Sequence, residues 1–225
     1  NGKYEIDRSE IIKTIQAGRE KLVSIQGNAG SGKSVVCKKL LKEKEYVLVT
    51  RAENLSTGKK VNELWDCDVE DAILWLENKP LYIFIDAIEF IADCGDNAFT
   101  LLQEIYRLAD KYSNVYIITS CRTTDSSAFM KINTKYRIKT YDIPDLAKDE
   151  IDKVAKSYPI ILSLQQNKKY SDLLCVPFYL NLIVSGGFVE ENIDDENNFR
   201  NLIWERIICL KDKCKKYGVL QSDVR

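Results

Sequence analysis

The sequence predicts an α/β protein in which a parallel sheet carries helices on both faces, followed by a small all-helical domain. Four short apolar runs predict the sheet, because each is apolar on both faces, as strands covered from two sides are. Helical patterns lie between these runs, and this alternation favours parallel strands joined by right-handed crossovers. After Pro144 the patterns are helical only. The four runs are 22–26, 46–50, 81–86 and 115–120.

A fifth run, 136–143, differs from the others because its residues alternate between two faces. One wetter face is typical of a strand at a sheet edge, so we expect the fifth strand there. One face carries Tyr136, Ile138 and Thr140, and the other carries Arg137, Lys139 and Tyr141.

Two helical patterns separate these strands. The first, 33–43, follows a glycine-rich turn. The second, 97–112, places Leu101, Ile105 and Leu108 at spacings of four and three, which predicts one buried stripe.

The chain divides into three predicted segments. An α/β domain covers 1–142, and a helical domain covers 143–190. Acidic residues after Pro144 suit a first helical turn, and a further helix is expected from Pro177 to the glycines at 186–187. The segment 191–225 is interpreted as the start of a further helical or winged-helix region, with an amphipathic helix over 199–217. We therefore expect the chain to be a fragment of a larger protein.

Composition excludes several classes of function. The 225 residues include 33 Lys or Arg and 34 Asp or Glu, a net charge of −1, which does not indicate a surface built for nucleic acid. Without histidine, neither Ser-His-Asp nor Cys-His catalysis is available. Seven cysteines without a CxxC pair predict reduced, mostly buried thiols and a cytoplasmic location. We expect neither a membrane-spanning segment nor a signal peptide.

The segment 27–34 matches the phosphate-loop pattern G-x-x-x-x-G-K-[ST] in full, between an apolar run and a helical pattern. Backbone N–H groups of such a loop face a phosphate, and the helix start adds partial positive charge. We expect Lys33 to contact the β- and γ-phosphates and the Ser34 hydroxyl to bind Mg²⁺. The nucleotide-binding residues are Gly27, Asn28, Ala29, Gly30, Ser31, Gly32, Lys33 and Ser34.

Acidic residues follow the third run. We assign Asp86, at its end, to Mg²⁺, as in other P-loop enzymes. Glu89 is a candidate for orienting or deprotonating the attacking water. A loop carboxylate facing solvent is the alternative for Glu89.

These residues resemble a known family. The string D-A-I-E-F at 86–90 is similar to the h-h-h-D-[GA]-h-[DE]-E pattern of STAND NTPases, signalling ATPases that include NACHT and bacterial antiviral members. The usual second acidic residue is Phe90 here, so efficient hydrolysis is in doubt. The segment 117–122 resembles the family's sensor segment, with Cys121 as one extra residue. The resemblance implies that Arg122 senses the γ-phosphate, and the alternative is a surface arginine.

Further matches extend the resemblance over most of 4–210. The segment 141–151 resembles the family's entry into its helical domain. Cys175-Val176-Pro177 resembles the G-x-P segment, which implies that Pro177 packs on the adenine, although a helix-starting proline is the alternative. The lead-in 4–10 resembles one whose arginine, here Arg8, lines the base pocket.

The leading hypothesis is an ATP-binding, slowly hydrolysing core of a STAND-type ATPase, with ATP or ADP and Mg²⁺ as ligands. The resemblance implies a nucleotide-dependent oligomerisation switch, a homo-oligomer when active, and effector and sensor domains elsewhere in a longer protein. Three alternatives stay open: a P-loop kinase acting on a small molecule, a remodelling or DNA-associated AAA-type ATPase, and a binding module without turnover.

Overall fold

A computed structural model describes residues 6–57, 60–123, 135–166 and 168–185. The chain divides into two compact units, Asp7–Pro144 and a second made of Asn1–Ile6 with Asp145–Arg225. The predicted boundary after residue 142 lies two residues before this division. The predicted helix over 199–217 and the whole segment 191–225 lie outside the described residues.

The first unit contains a parallel five-stranded sheet in the order β2-β3-β4-β1-β5. All five predicted strands are present, and β5 lies at an edge as expected. The β5 strand is shorter than the alternating run that predicted it, and β4 continues two residues further than its apolar run. The strands are β1 (Leu22–Gly27), β2 (Tyr46–Arg51), β3 (Leu81–Asp86), β4 (Val115–Arg122) and β5 (Lys139–Asp142).

Helices cover both faces of this sheet, which gives the predicted three layers. Side chains of β3 alternate between the two faces: Ile83 and Ile85 pack with the α4 side, and Phe84 packs with the α1 and α2 side. The helices are α1 (Ser9–Ala17), α2 (Lys33–Leu41), α3 (Val69–Trp75) and α4 (Asp96–Lys111), with short 3₁₀ helices at Ala52–Ser56, Val61–Leu64 and Ile88–Asp93. The α1 and α3 helices were not among the patterns used to predict the fold.

The second unit is helical in its described part. The predicted helix start at Pro177 is confirmed, and a helix also begins at Lys148, with Asp149 and Glu150 in its first turn as expected. The first turn of the helix that begins at Lys148 is capped by Glu150, whose carboxylate accepts a hydrogen bond from the Ala147 backbone N–H at 2.8 Å. The helices are α5 (Lys148–Ala155), α6 (Pro159–Gln166), α7 (Lys168–Leu174) and α8 (Pro177–Ser185). They share one apolar core.

Five cysteines lie in the described ranges, and all five are free thiols. Only Cys37 and Cys121 are buried, so the expectation of mostly buried thiols is met at two of the five. Burial raises the pKa of Cys37 to about 12, so its thiol stays protonated at neutral pH. None of the helices in these ranges is both long and apolar enough to cross a membrane.

Candidate functional site

The phosphate loop, Asp86 and the Glu89–Arg122 pair lie together at the carboxyl ends of the sheet strands. Because β1, β3 and β4 are parallel neighbours, their carboxyl ends lie side by side. The register places Gly27 of β1 opposite Arg122 of β4. It also pairs Ile85 of β3 with Thr119 of β4, so Asp86 lies at the same carboxyl end of the sheet. The phosphate loop, the acidic strand end and the predicted sensor arginine are therefore adjacent.

The loop that follows β1 depends on three glycines for its shape. Gly30 and Gly32 have φ of 81° and 94°, in the left-handed region that favours glycine. At Gly27 the constraint is space, because an added Cβ would lie 2.6 Å from Ser31 Oγ and 2.9 Å from the Ile143 carbonyl oxygen. Helix α2 begins directly after Gly32, with its first free N–H groups at the loop.

Lys33 places its cation at the loop. Its Nζ donates to the carbonyl oxygens of Gly27 at 2.8 Å and Asn28 at 2.9 Å. Burial lowers the Lys33 pKa, while the nearby carboxylates of Glu89 and Asp86 favour the charged form. Lys33 is half-buried beside the exposed loop residues 28–30, and a cation next to backbone N–H groups can attract a phosphate.

Two oxygen-bearing side chains suit a magnesium ion. Ser34 lies exposed in the first turn of α2, and Asp86 is half-buried at the end of β3. Hydroxyl and carboxylate oxygens are donors that Mg²⁺ takes, usually together with substrate phosphates and water. The oxygen ligands of Ser34 and Asp86 therefore suit Mg²⁺. Within the described ranges, no three Cys, Asp or Glu side chains cluster into a metal site of their own.

Asp86 is held by a residue that the sequence did not single out. Ser120 Oγ donates a hydrogen bond to Asp86 Oδ1 and accepts one from the Ala87 backbone N–H at 2.8 Å. Ser120 was part of the sensor-like segment, but no role was assigned to it. Only the pairing of β3 with β4 brings this hydroxyl beside the carboxylate.

Glu89 and Arg122 form an ion pair. Glu89 Oε1 lies 3.1 Å from Arg122 Nε, and Oε2 accepts the Arg122 backbone N–H at 3.3 Å. The Glu89 side chain is only 6 % exposed, so the alternative of a carboxylate facing solvent is wrong. The Arg122 guanidinium also lies 5.5 Å from the centre of the Phe90 ring.

The two residues expected at the base lie in different settings. Arg8 precedes α1 and donates from its guanidinium to the Pro144 carbonyl oxygen at 2.8 Å. Pro177 belongs to the helical unit, where it is the buried first residue of α8. Their contacts with a nucleotide stay predictions.

No family model matches the chain, and no curated protein matches it in sequence. Among solved structures, a Walker-type ATPase of Pyrococcus abyssi matches with a TM-score of 0.62 and 13 % identity, over 95 % of this chain and 76 % of that one.

Two structures of Hsp104 also match. The closed state with ATPγS and FITC-casein has a TM-score of 0.51 and 12 % identity, over 95 % of this chain and 46 % of that one. The ADP complex from S. cerevisiae has a TM-score of 0.53 and 16 % identity, over 80 % of this chain and 30 % of that one. This chain therefore spans less than half of either Hsp104 chain.

At these identities the matches establish the fold alone. The topology of the sheet and the loop after β1 define the class: the chain has the fold of a P-loop NTPase.

Proposed function

We propose that this chain is the ATP-binding and slowly hydrolysing core of a STAND-type signalling ATPase. One observation carries the nucleotide-binding part of the proposal: the complete phosphate loop holds Lys33 at its own carbonyls, near the carboxylates of Asp86 and Glu89. A cation and free N–H groups bind phosphate, and a neighbouring carboxylate supports the metal that accompanies it.

In the proposed reaction, the loop N–H groups and Lys33 hold the phosphates of ATP. Ser34 and Asp86 would hold Mg²⁺, which neutralises charge on the β- and γ-phosphates when bound. A water oxygen attacks the γ-phosphorus, and the bond from that phosphorus to the β–γ bridging oxygen breaks. ADP and inorganic phosphate leave, and Glu89 accepts the proton of the water.

The ion pair is the reason to expect slow turnover. Glu89 Oε2 accepts the Arg122 backbone N–H, and Oε1 is ion-paired with Arg122 Nε. A cation this close favours the ionised carboxylate, so Glu89 is a poor acceptor for the proton of water while the ion pair is intact. A γ-phosphate is a competing anion for the Arg122 guanidinium. We propose that Arg122 moves to ATP and releases Glu89, which couples sensing of the γ-phosphate to hydrolysis. Phe90 offers no second carboxylate to replace Glu89.

The signalling role rests on the family resemblance of 86–90 and 117–122. The resemblance also implies that Arg8 and Pro177 contact the base. It further implies a nucleotide-dependent change that exposes a surface for self-association in the longer protein. A ligand shifts such an equilibrium only through contacts that differ between the two states. The γ-phosphate contact of Arg122 is the difference that we propose between ATP and ADP.

Steady-state hydrolysis of ATP by the purified chain tests this function. We expect slow release of phosphate without any acceptor, and a rate per molecule that rises with protein concentration, since an arginine supplied in trans contributes 10³–10⁵ in related enzymes. The matched control is Glu89→Gln, which keeps the shape of the side chain and should abolish turnover. Fast turnover independent of protein concentration would contradict the proposal. Strict dependence on a phosphate acceptor would favour a kinase.

A further inference from the structure

Ser120 is the last residue of the apolar run 115–120 and lies two residues before the end of β4. Ser120 is buried, with 1 % exposure, between the acidic end of β3 and the phosphate loop. A buried hydroxyl is stable when its hydrogen bonds are complete. Ser120 has two such bonds, to Asp86 and to Ala87.

The two bonds fix the direction of the hydroxyl proton. A serine hydroxyl has one proton to donate and lone pairs that accept. Because the Ala87 N–H donates to Oγ, the proton of Ser120 is available to Asp86 Oδ1. An ionised carboxylate accepts such a bond, and the bond fixes the rotation of the Asp86 side chain.

Ala87 is the second half of the arrangement. Its φ of 59° places a residue with a side chain in the left-handed region, which costs free energy and persists only where surrounding contacts compensate. The bond from Ala87 N–H to Ser120 ties this turn to β4. The 3₁₀ helix with Glu89 in its first turn follows directly. Ser120 therefore holds the chain between Asp86 and Glu89.

We propose that Ser120 is a positioning residue, which orients Asp86 for the Mg²⁺ that accompanies the nucleotide. This inference rests on the proposed function, because it assumes that nucleotide and metal bind at the loop. Its consequence is specific: removal of the hydroxyl weakens the contribution of Mg²⁺ to nucleotide affinity and leaves the metal-free affinity intact.

The chain offers a matched control in Ser24. This serine lies in the neighbouring strand β1 and is also fully buried, with 0 % exposure. Among the described residues its hydroxyl has no hydrogen-bond partner. Ser24→Ala therefore removes a buried hydroxyl from the same sheet without touching Asp86.

The experiment measures the affinity of the chain for ATPγS by calorimetry, once with excess Mg²⁺ and once with EDTA. We expect Ser120→Ala to lower the ratio of the two affinities about tenfold, while the EDTA value stays within about twofold. Ser120→Thr keeps the hydroxyl and should retain the parent ratio. Ser24→Ala should match the parent in both conditions.

Circular dichroism checks that each variant is folded. If Ser120→Ala is unfolded, Ser120→Cys keeps the volume with a much weaker donor and should show the same loss of the Mg²⁺ contribution. A parent that binds no ATPγS would overturn the proposed function. A parent whose affinity rises with Mg²⁺, together with a folded Ser120→Ala or Ser120→Cys that keeps this rise, would overturn the role of Ser120 alone.

Discussion

The phosphate loop and the cluster at the ends of β3 and β4 are neighbours in the proposed site, but they are built differently. The loop is continuous in sequence, and its shape comes from backbone conformation at Gly30 and Gly32. The cluster joins residues 34 and 33 positions apart through side-chain contacts, Ser120 with Asp86 and Arg122 with Glu89. The first half is set by local geometry, and the second by strand register.

This difference determines how each half should respond to substitution. A change in the loop acts through steric strain, so it should affect folding and binding together. A change in the cluster acts through charge and hydrogen bonding. It should therefore alter the affinity for ATP more than the affinity for ADP, or the affinity with Mg²⁺ more than the affinity in EDTA. If loop variants and cluster variants had the same effects on folding and on binding, this distinction between the two regions would be wrong.

The largest effect on stability is expected at Gly27. The Cβ of Gly27→Ala would lie 2.9 Å from the Ile143 carbonyl oxygen, so backbone must move. We expect the free energy of unfolding, measured with urea, to fall by roughly 1–3 kcal/mol. Gly32→Ala has open space but a φ of 94°, and strain alone should cost about 1–2 kcal/mol.

A double mutant separates these two causes. The added Cβ of Gly27→Ala would also meet Ser31 Oγ at 2.6 Å, and that hydroxyl has no hydrogen-bond partner among the described residues. Ser31→Ala should therefore restore part of the stability of Gly27→Ala and none of that of Gly32→Ala. Equal, additive effects in both backgrounds would show that the close approach at Gly27 is not the cause.

The same contrast explains what the sequence could predict. The loop, four strands and the fold class follow from a local motif and from local hydrophobic runs, so they were predictable. The bond from Ser120 to Asp86 depends on the pairing of β3 with β4, which no local pattern encodes. The burial of Glu89 depends on Arg122 in the same way, and a solvent-facing carboxylate was therefore an open alternative.

The pH dependence of binding should report the charge on Lys33. Burial lowers its pKa from the ordinary value of 10.5, and phosphate binds the protonated form. Affinity for ATP should therefore be highest at pH values below the lowered pKa of Lys33. It should fall as pH rises through the lowered pKa, by up to about tenfold per pH unit. Calorimetry between pH 7 and pH 10.5 measures this, with Lys33→Ala as the pH-independent control. A fall that is equal in both proteins would assign the dependence to other groups.

A smaller effect is expected when Arg122 is replaced by alanine. Arg122→Ala should weaken the binding of ATP by about 1 kcal/mol and the binding of ADP by less, because only ATP carries the γ-phosphate. The value is modest because the arginine side chain is 44 % exposed and solvent screens its charge. Titration of both nucleotides into parent and variant measures the difference. Equal losses for ATP and ADP would make Arg122 a structural partner of Glu89 only.

The smallest effect is expected at Pro177. If this proline packs on the adenine, Pro177→Ala should weaken ATP and ADP equally, by roughly 0.5–1 kcal/mol, since both share the base. Phe178→Ala is a suitable control, because the neighbouring ring is 48 % exposed on the same helix. Unchanged affinities in a folded Pro177→Ala would assign the proline to packing within the helical unit alone.

The central claim is that the loop and the cluster together bind nucleotide phosphates around Lys33. The most direct test is a calorimetric titration of ATP with Mg²⁺ into the parent chain and into Lys33→Ala. We predict that the parent binds and that the variant loses roughly 1.5–3 kcal/mol, the range of a hydrogen bond to a charged group. Equal affinity of the two proteins, or no binding by a folded parent, would contradict the claim.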